Sequence, residues 1–291
     1  MKIPSHLHPS TAEQLHLDPQ ARCDLMKSQR FIPYPAGMAA LRWMRYLYTN
    51  ECGRSRPRSL HLIGQAGMGK SCVLEHYANL HGQEQRDTEG HRARPVVLVE
   101  MRHVDAKSLC TDLIKASMPV FRATGSANYL GRLGPTVVQC GVRQILIDEA
   151  GNLLLGGKHT QQQCLALLKS ISNQGITICI ATTEKMKAVL AADEQLYSRF
   201  RQAQLPHWSE SQEFRQFLAG LEAQLPLPEP SHLDRVQVVR WLLSQGFTVT
   251  SAIVDLLRDA ATSAIMAGRP HITLDLLRET ATAVMPPDST G

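Results

Sequence analysis

Residues 64–71 read GQAGMGKS, a match to G-x-x-x-x-G-K-[ST]. Gly64, Gly67 and Gly69 allow the backbone to curl so that its N–H groups face a phosphate, and the dipole of a helix starting near Lys70 favours the negative charge. Lys70 is expected to reach the β- and γ-phosphates, and Ser71 to bind Mg²⁺. The nucleotide contacts therefore run through Gly64, Gln65, Ala66, Gly67, Met68, Gly69, Lys70, Ser71 and Cys72. A second constellation follows at 145–149, where ILIDE puts Asp148 and Glu149 at the end of an apolar run. Asp148 is expected to hold Mg²⁺ through water, and Glu149 to orient or deprotonate an attacking water. The cofactors implied are ATP and Mg²⁺.

Two further groups fit the same chemistry. The run ITICIATT, 176–183, ends in Thr182 and Thr183, either of which could sense a γ-phosphate; Thr183 is the expected one. Arg199 and Arg201, in LYSRFRQ, stand before a last short strand, where a cation reaching a neighbouring subunit would stabilise phosphoryl charge. Arg199 is the expected finger.

These side chains need a frame. SLHLIG, PVVLVE, QILIDE and ITICIATT are short runs rich in Val and Ile, separated by helical patterns, as buried parallel strands are. Before them, Met38, Leu41, Met44, Leu47 and Tyr48 predict a helix over 37–48. After the first strand, Val73, Leu74, Tyr77 and Leu80 share one helical face, and Leu109, Cys110, Leu113 and Ile114 share another, so both faces of the sheet are covered. After LPHW at 205–208 the pattern is helical only, with Ser209, Ser231 and Thr273 as expected N-caps. The fold class is α/β, a doubly wound parallel-sheet core over 36–208, with an N-terminal extension over 1–35 that packs late or on another chain, and a small helical domain over 209–291.

Bulk properties exclude other classes. With 43% hydrophobic and 20% charged residues the chain is neither disordered nor fibrous. Its apolar runs fall well short of the roughly 20 residues that span a bilayer, and the N-terminus lacks a signal-peptide core, so a cytoplasmic location is expected, with no membrane partner. Seven cysteines without a C-x-x-C pair read as reduced and structural. A formal charge of +5 tolerates a polyanionic partner without demanding one.

Strand, phosphate loop, DE pair, strand-end threonine and SRF arginine in this order resemble an AAA+ module, with the C-terminal helices as its lid. Finer features, RFIPYPAGMAAL at 30–41, LIDEAGNLLLGG at 146–157, DEQLYSRF at 193–200 followed by LPHW, and LPLPEPS at 225–231, are similar to the TniB/TnsC family of transposition ATPases over roughly residues 30–280. That resemblance implies an ATP-dependent protein that assembles as a ring or helical filament on double-stranded DNA, works with a target-selection protein, and recruits or activates a DDE transposase. It also implies DNA-backbone contacts after the second strand and before the third, from Arg102, Lys107, Arg122 and Thr124, whose basic and hydroxyl groups suit phosphates without base readout. Two departures stand out: TVTSAIVDLL at 248–257 lacks the lid arginine of many AAA+ proteins, and Asn152 replaces a charged residue of some relatives. A helicase-loader or replication-initiator type of AAA+ protein, and a nucleotide-gated scaffold with little hydrolysis, are the other readings the same core admits.

Overall fold

The computed structural model describes residues 4–27, 31–86, 92–117 and 137–284. Helices and strands follow one another as α1 (Pro9–Ala12), α2 (Pro19–Met26), α3 (Pro35–Asn50), β1 (Ser59–Ile63), α4 (Lys70–His81), β2 (Gln85–Arg86), β3 (Arg92–Ala93), β4 (Val96–Glu100) and α5 (Ala106–Ser117). They continue with β5 (Gln144–Asp148), α6 (Lys158–Asn173), β6 (Thr177–Thr182), α7 (Met186–Ala191), α8 (Glu194–Tyr197), β7 (Phe200–Gln204), α9 (Gln212–Glu222), α10 (Val236–Ser244), α11 (Thr250–Met266) and α12 (Leu274–Val284). The chain forms two compact units: Ala36–Pro206, and a second in which the described residues up to Pro35 join those from His207 onward.

The larger unit is built on a five-stranded sheet in the order β4-β5-β6-β1-β7. Every neighbouring pair is parallel. The four runs read as strands from their Val and Ile content are four of these five, and β1 and β6 are buried along their whole length. Alternation divides the sheet's side chains between two faces. Val97, Val99, Ile145, Ile147, Ile178 and Ile180 share one apolar cluster with Leu109 and Leu113 of α5 and Leu165 and Leu168 of α6. Leu146, Cys179 and Ala181, the intervening residues, are equally buried, and α4 packs against β4, β5 and β6. Leu80, expected on the packed face of α4 with Val73, Leu74 and Tyr77, is instead 59% exposed, since the helix has turned past the sheet by its last turn. The helix expected over 37–48 is α3, tied to the sheet by a buried bond in which Gln144 Nε2 donates to the Met44 carbonyl, 3.1 Å.

The second unit bears on one alternative in the reading of the first residues, that they pack late or on another chain. They do not wait for another chain: the His8 N–H donates to the Ala223 carbonyl at 2.8 Å, Arg22 donates to the Pro226 carbonyl at 3.3 Å, and α2 packs on α11. Tyr34 meets Trp208 and Phe217 edge to face at 5.4 and 5.8 Å, and Trp208 stacks on Phe214 and Phe217. Weak periodicity in such a segment reflects docking by a few side chains and carbonyls rather than by a regular face.

The caps are partly as expected. Thr273 does cap α12, its Oγ1 accepting from the Leu276 N–H. At α9 the cap is Ser211, which accepts from Phe214, and not Ser209. Ser231 caps nothing; its hydroxyl accepts from the Ile272 N–H, and α10 begins five residues later. The local turn is held instead by the buried carboxylate of Glu222, which accepts from the N–H groups of Ser231, His232 and Leu233 at 2.8, 3.1 and 2.8 Å. Those bonds fix His232 at φ 54°, a conformation costly for a side chain with a Cβ. All seven cysteines are free thiols, and burial pushes Cys110 and Cys164 up to about 11, far from reactive thiolates.

Candidate nucleotide site

β1 delivers the chain to the carboxyl edge of the sheet at Ile63, and the next six residues turn back to start α4 at Lys70. The turn opens where the Gly64 N–H donates to the Thr182 carbonyl at 3.1 Å, stitching the loop to the end of β6. A Cβ on Gly64 would meet the Cβ atoms of Met68 and Leu205 at 3.2 and 3.3 Å, so the loop is closed around that position. Gly67 and Gly69 take φ of 76° and 85°, the left-handed region that glycine enters without a steric penalty. Met68 is the loop's internal anchor, 2% exposed, while Gln65, Ala66 and Gly67 face outward.

This path leaves donors over. The main-chain N–H groups of Ala66, Gly67, Gly69, Lys70 and Ser71 make no hydrogen bond to any described residue. Five donors converging at the start of a twelve-residue helix form a cradle suited to phosphate oxygens. The Lys70 ammonium folds back across it, donating to the carbonyls of Gly64 and Gln65, both at 2.9 Å. Burial holds its pKa below the usual lysine range, while the negative charges of Glu149 and Asp148 oppose that shift. The structure thus brings Lys70 and the strand-end carboxylates into one electrostatic neighbourhood.

Asp148 ends β5 half-buried, its Oδ1 accepting from the Glu149 N–H at 2.8 Å. Glu149 is exposed and sits at φ 51°, ψ 27°, a left-handed turn of a non-glycine residue. Asn152 makes that turn durable. Its Nδ2 donates to the Met101 carbonyl at 2.8 Å, clamping the turn after β5 to the end of β4; the sequence offered only its difference from relatives. Among the described residues no three His, Cys, Asp or Glu side chains gather as a metal site. Ser71 and Asp148 can supply one hydroxyl and one carboxylate, which fits Mg²⁺, an ion that keeps waters and takes phosphate oxygens rather than an all-protein cage.

At the neighbouring strand end the two threonines differ. Thr182 is 2% exposed, and its hydroxyl is engaged by His61 Nε2 and by the Thr183 carbonyl. Thr183 lies at the edge, and its hydroxyl makes no bond to the described residues. Beyond it, Glu184 accepts from Gln204 Nε2 at 2.9 Å and pairs with Lys187 at 2.6 Å, a small rim unmarked in the sequence.

Arg199 is not brought to this cradle. Its carbonyl accepts from the Ser59 N–H, so it lies at the amino edge of the sheet, a five-residue strand or about 16 Å away from the loop. The side chain is 9% exposed, and Nη1 donates to Ser172 Oγ and Asn173 Oδ1 at 2.9 and 3.0 Å. Arg201, two residues on within β7, is exposed. Of the expected DNA contacts, Arg102 is exposed and pairs with Glu100 at 2.8 Å, while Lys107 projects from the first turn of α5 without an ion pair among the described residues. Arg122 and Thr124 lie outside the described residues.

A family model for the bacterial TniB protein matches residues 22–210. The chain belongs to the TniB family. That match covers the sheet, the phosphate cradle, the DE turn and β7. No curated protein matches the sequence significantly. Among solved structures, the Aeropyrum pernix ORC2 protein in its ADPNP-ADP complexes superposes with a TM-score of 0.64 at 15% identity, over 89% of this chain and 71% of that one. The Aeropyrum pernix ORC1 protein in complex with DNA gives 0.59 at 15%, over 90% and 69%. Domain III of the Thermotoga maritima replication initiation protein DnaA gives 0.58 at 16%, over 97% and 99%. At such identities these likenesses speak for the fold, and the fold of this TniB-family chain is that of AAA+ ATPases. Among the described residues no helix is long and apolar enough to cross a membrane.

Proposed function

We propose that this TniB-family chain is a Mg²⁺-dependent ATPase that regulates DNA transposition, assembling with ATP on double-stranded DNA and recruiting or activating a DDE transposase there. The observation that carries the nucleotide part is the cradle of unpartnered N–H groups with Lys70 across it and Asp148 and Glu149 beside it. Family membership supports the transposition part. ORC and DnaA structures share the fold at identities too low to favour an initiator role.

In this reading Lys70 exchanges its two carbonyl bonds for phosphate oxygens, and the loop N–H groups of Ala66, Gly67, Gly69, Lys70 and Ser71 fix the same phosphates in place. Ser71 and Asp148 would hold Mg²⁺, which would neutralise phosphate charge and lower the barrier to attack. Glu149, set apart from the strand by its left-handed turn, orients a water and takes its proton. Thr183, with its hydroxyl free, donates to the terminal phosphate. Because Arg199 is at the far edge of its own sheet, it serves a neighbour's nucleotide in a homo-oligomer, ring or filament, after leaving Ser172 and Asn173. The helical unit acts as the lid, and Arg102, Lys107, Arg122 and Thr124 hold the DNA backbone, with a target-selection protein as a further partner.

The test is assembly. Duplex DNA binding should require ATP, ignore base sequence, and weaken steeply with salt as counterions are released. Lys70→Ala should remove the ATP requirement's benefit, and Lys107→Ala should lower affinity uniformly across sequences. Affinity for duplex DNA that is equal with and without ATP would refute the proposal.

A further inference from the structure

Away from the cradle, the solvent face of α3 has an unusual composition. The helix PAGMAALRWMRYLYTN carries no acidic residue; it buries Ala40, Met44 and Leu47 and turns Arg42, Trp43, Arg45 and Tyr46 outward. Trp43 and Tyr46 are 38% and 41% exposed, and their rings meet edge to face at 5.7 Å. Exposing two large rings to water is unfavourable unless something covers them.

Cations flank the rings on both sides. Arg58 lies over Tyr46 at 5.5 Å and donates to its hydroxyl at 2.9 Å. On the other flank Arg143 and Arg45 lie over Tyr48 at 4.9 and 5.7 Å. Arg42, at the middle of the face, is exposed and has no partner among the described residues. The carboxylate adjoining this strip, Glu51, is 1% exposed and already accepts three bonds from Arg58, so it leaves no negative charge at the surface. Arg45, Arg58 and Arg143 are thus held on ring faces, and Arg45 and Arg143 remain exposed.

We infer that this face binds single-stranded nucleic acid, the arginines taking phosphates and Trp43 with Tyr46 stacking on unpaired bases. Charge complementarity selects a polyanion, since the guanidinium groups of Arg42, Arg45 and Arg143 face outward with no surface carboxylate on the helix between them, while Arg58 is paired with Glu51. The exposed rings select among polyanions: a strand with unpaired bases offers π-faces, as single-strand binding surfaces require, whereas a duplex offers mainly its backbone and an acidic peptide only carboxylates. The inference does not depend on the nucleotide site.

The experiment uses the full chain without nucleotide, a fluorescein-labelled 20-mer of deoxythymidine, and a labelled 20-base-pair duplex. Wild type should bind the single strand with quenching of Trp43 fluorescence, and affinity should fall with salt. Trp43→Ala and Arg42→Glu should each weaken it on the order of tenfold, the scale of one lost stack or reversed charge. Trp43→Phe, which keeps a ring and the helix packing, should lose far less, and Lys70→Ala should bind as wild type does. Unchanged single-strand affinity in both Trp43→Ala and Arg42→Glu would overturn the inference. So would equal losses on the duplex, or a polyglutamate probe that outcompetes the oligonucleotide, which would assign the face to an acidic protein segment.

Discussion

His61 couples the stability of the sheet to pH. It lies fully buried in β1, the strand that carries the phosphate loop, next to β6, which carries the strand-end threonines, with Nε2 on Thr182 and Nδ1 without a partner among the described residues. Burial first, and then the positive charge of Lys187, bring its imidazole down from 6.5 to about 4. In the unfolded chain the group takes its proton near 6.5, so between that pH and about 4 the unfolded state binds a proton that the folded state refuses. Stability is therefore unaffected above 6.5 and falls as the pH drops through this window. A gap of about 2.5 pH corresponds to about 3 kcal/mol when the window has been crossed. His61→Asn keeps a donor for Thr182 and removes the titration. Urea unfolding at pH 7.5 and 4.5, followed by circular dichroism, should show wild type losing about 2 to 3 kcal/mol more than the variant across that interval. Parallel losses with pH, that is, a constant offset between the two proteins, would reflect packing alone and refute the reasoning.

Three other substitutions probe the fold and the site. Gly69→Ala should lower stability by about 1 to 2 kcal/mol and weaken ATP binding more than it weakens folding, because φ of 85° disfavours a Cβ at the entrance to the cradle; calorimetry and nucleotide titration separate the two effects. Glu222→Gln should cost about 2 to 3 kcal/mol in thermal unfolding, since an amide nitrogen cannot accept from the N–H groups of 231–233, and an unchanged Tm would show that the turn holds itself. Arg199→Ala should reduce hydrolysis by about 10³ to 10⁵, and mixing it with Lys70→Ala should restore part of the activity by pairing intact pockets with intact arginines. No recovery in demonstrated mixed assemblies would confine Arg199 to its bonds with Ser172 and Asn173 and pass the role to Arg201.

What could be read from the sequence was set by local rules. The cradle was legible because glycine spacing, an apolar strand and a following helix all demand the same turn, and the four apolar runs were legible because strands buried on both faces carry no polar alternation. Tertiary choices were not. Nothing in SRF says that Ser172 and Asn173, at the end of another helix, will receive the guanidinium of Arg199. The cap at Ser211 rather than Ser209 is a difference of two residues among similar hydroxyls. Ser231 looked like a cap because its type suits one, yet the carboxylate of Glu222, nine residues earlier, satisfies that turn. The bonds of Asn152 and His61 gave no signal, since their partners are the Met101 carbonyl just past β4 and a hydroxyl on β6, reached only when the sheet is assembled.

The central claim rests on the division of labour between Lys70 and Glu149, and one paired measurement addresses it: equilibrium binding of labelled ATP alongside release of inorganic phosphate, in wild type and both variants with Mg²⁺ and duplex DNA. The account predicts that Lys70→Ala loses binding and turnover together, whereas Glu149→Gln binds ATP as wild type does and releases phosphate at least about a hundredfold more slowly, the lower range for a lost general base. Wild-type turnover in Glu149→Gln, or undiminished ATP binding in Lys70→Ala, would contradict it.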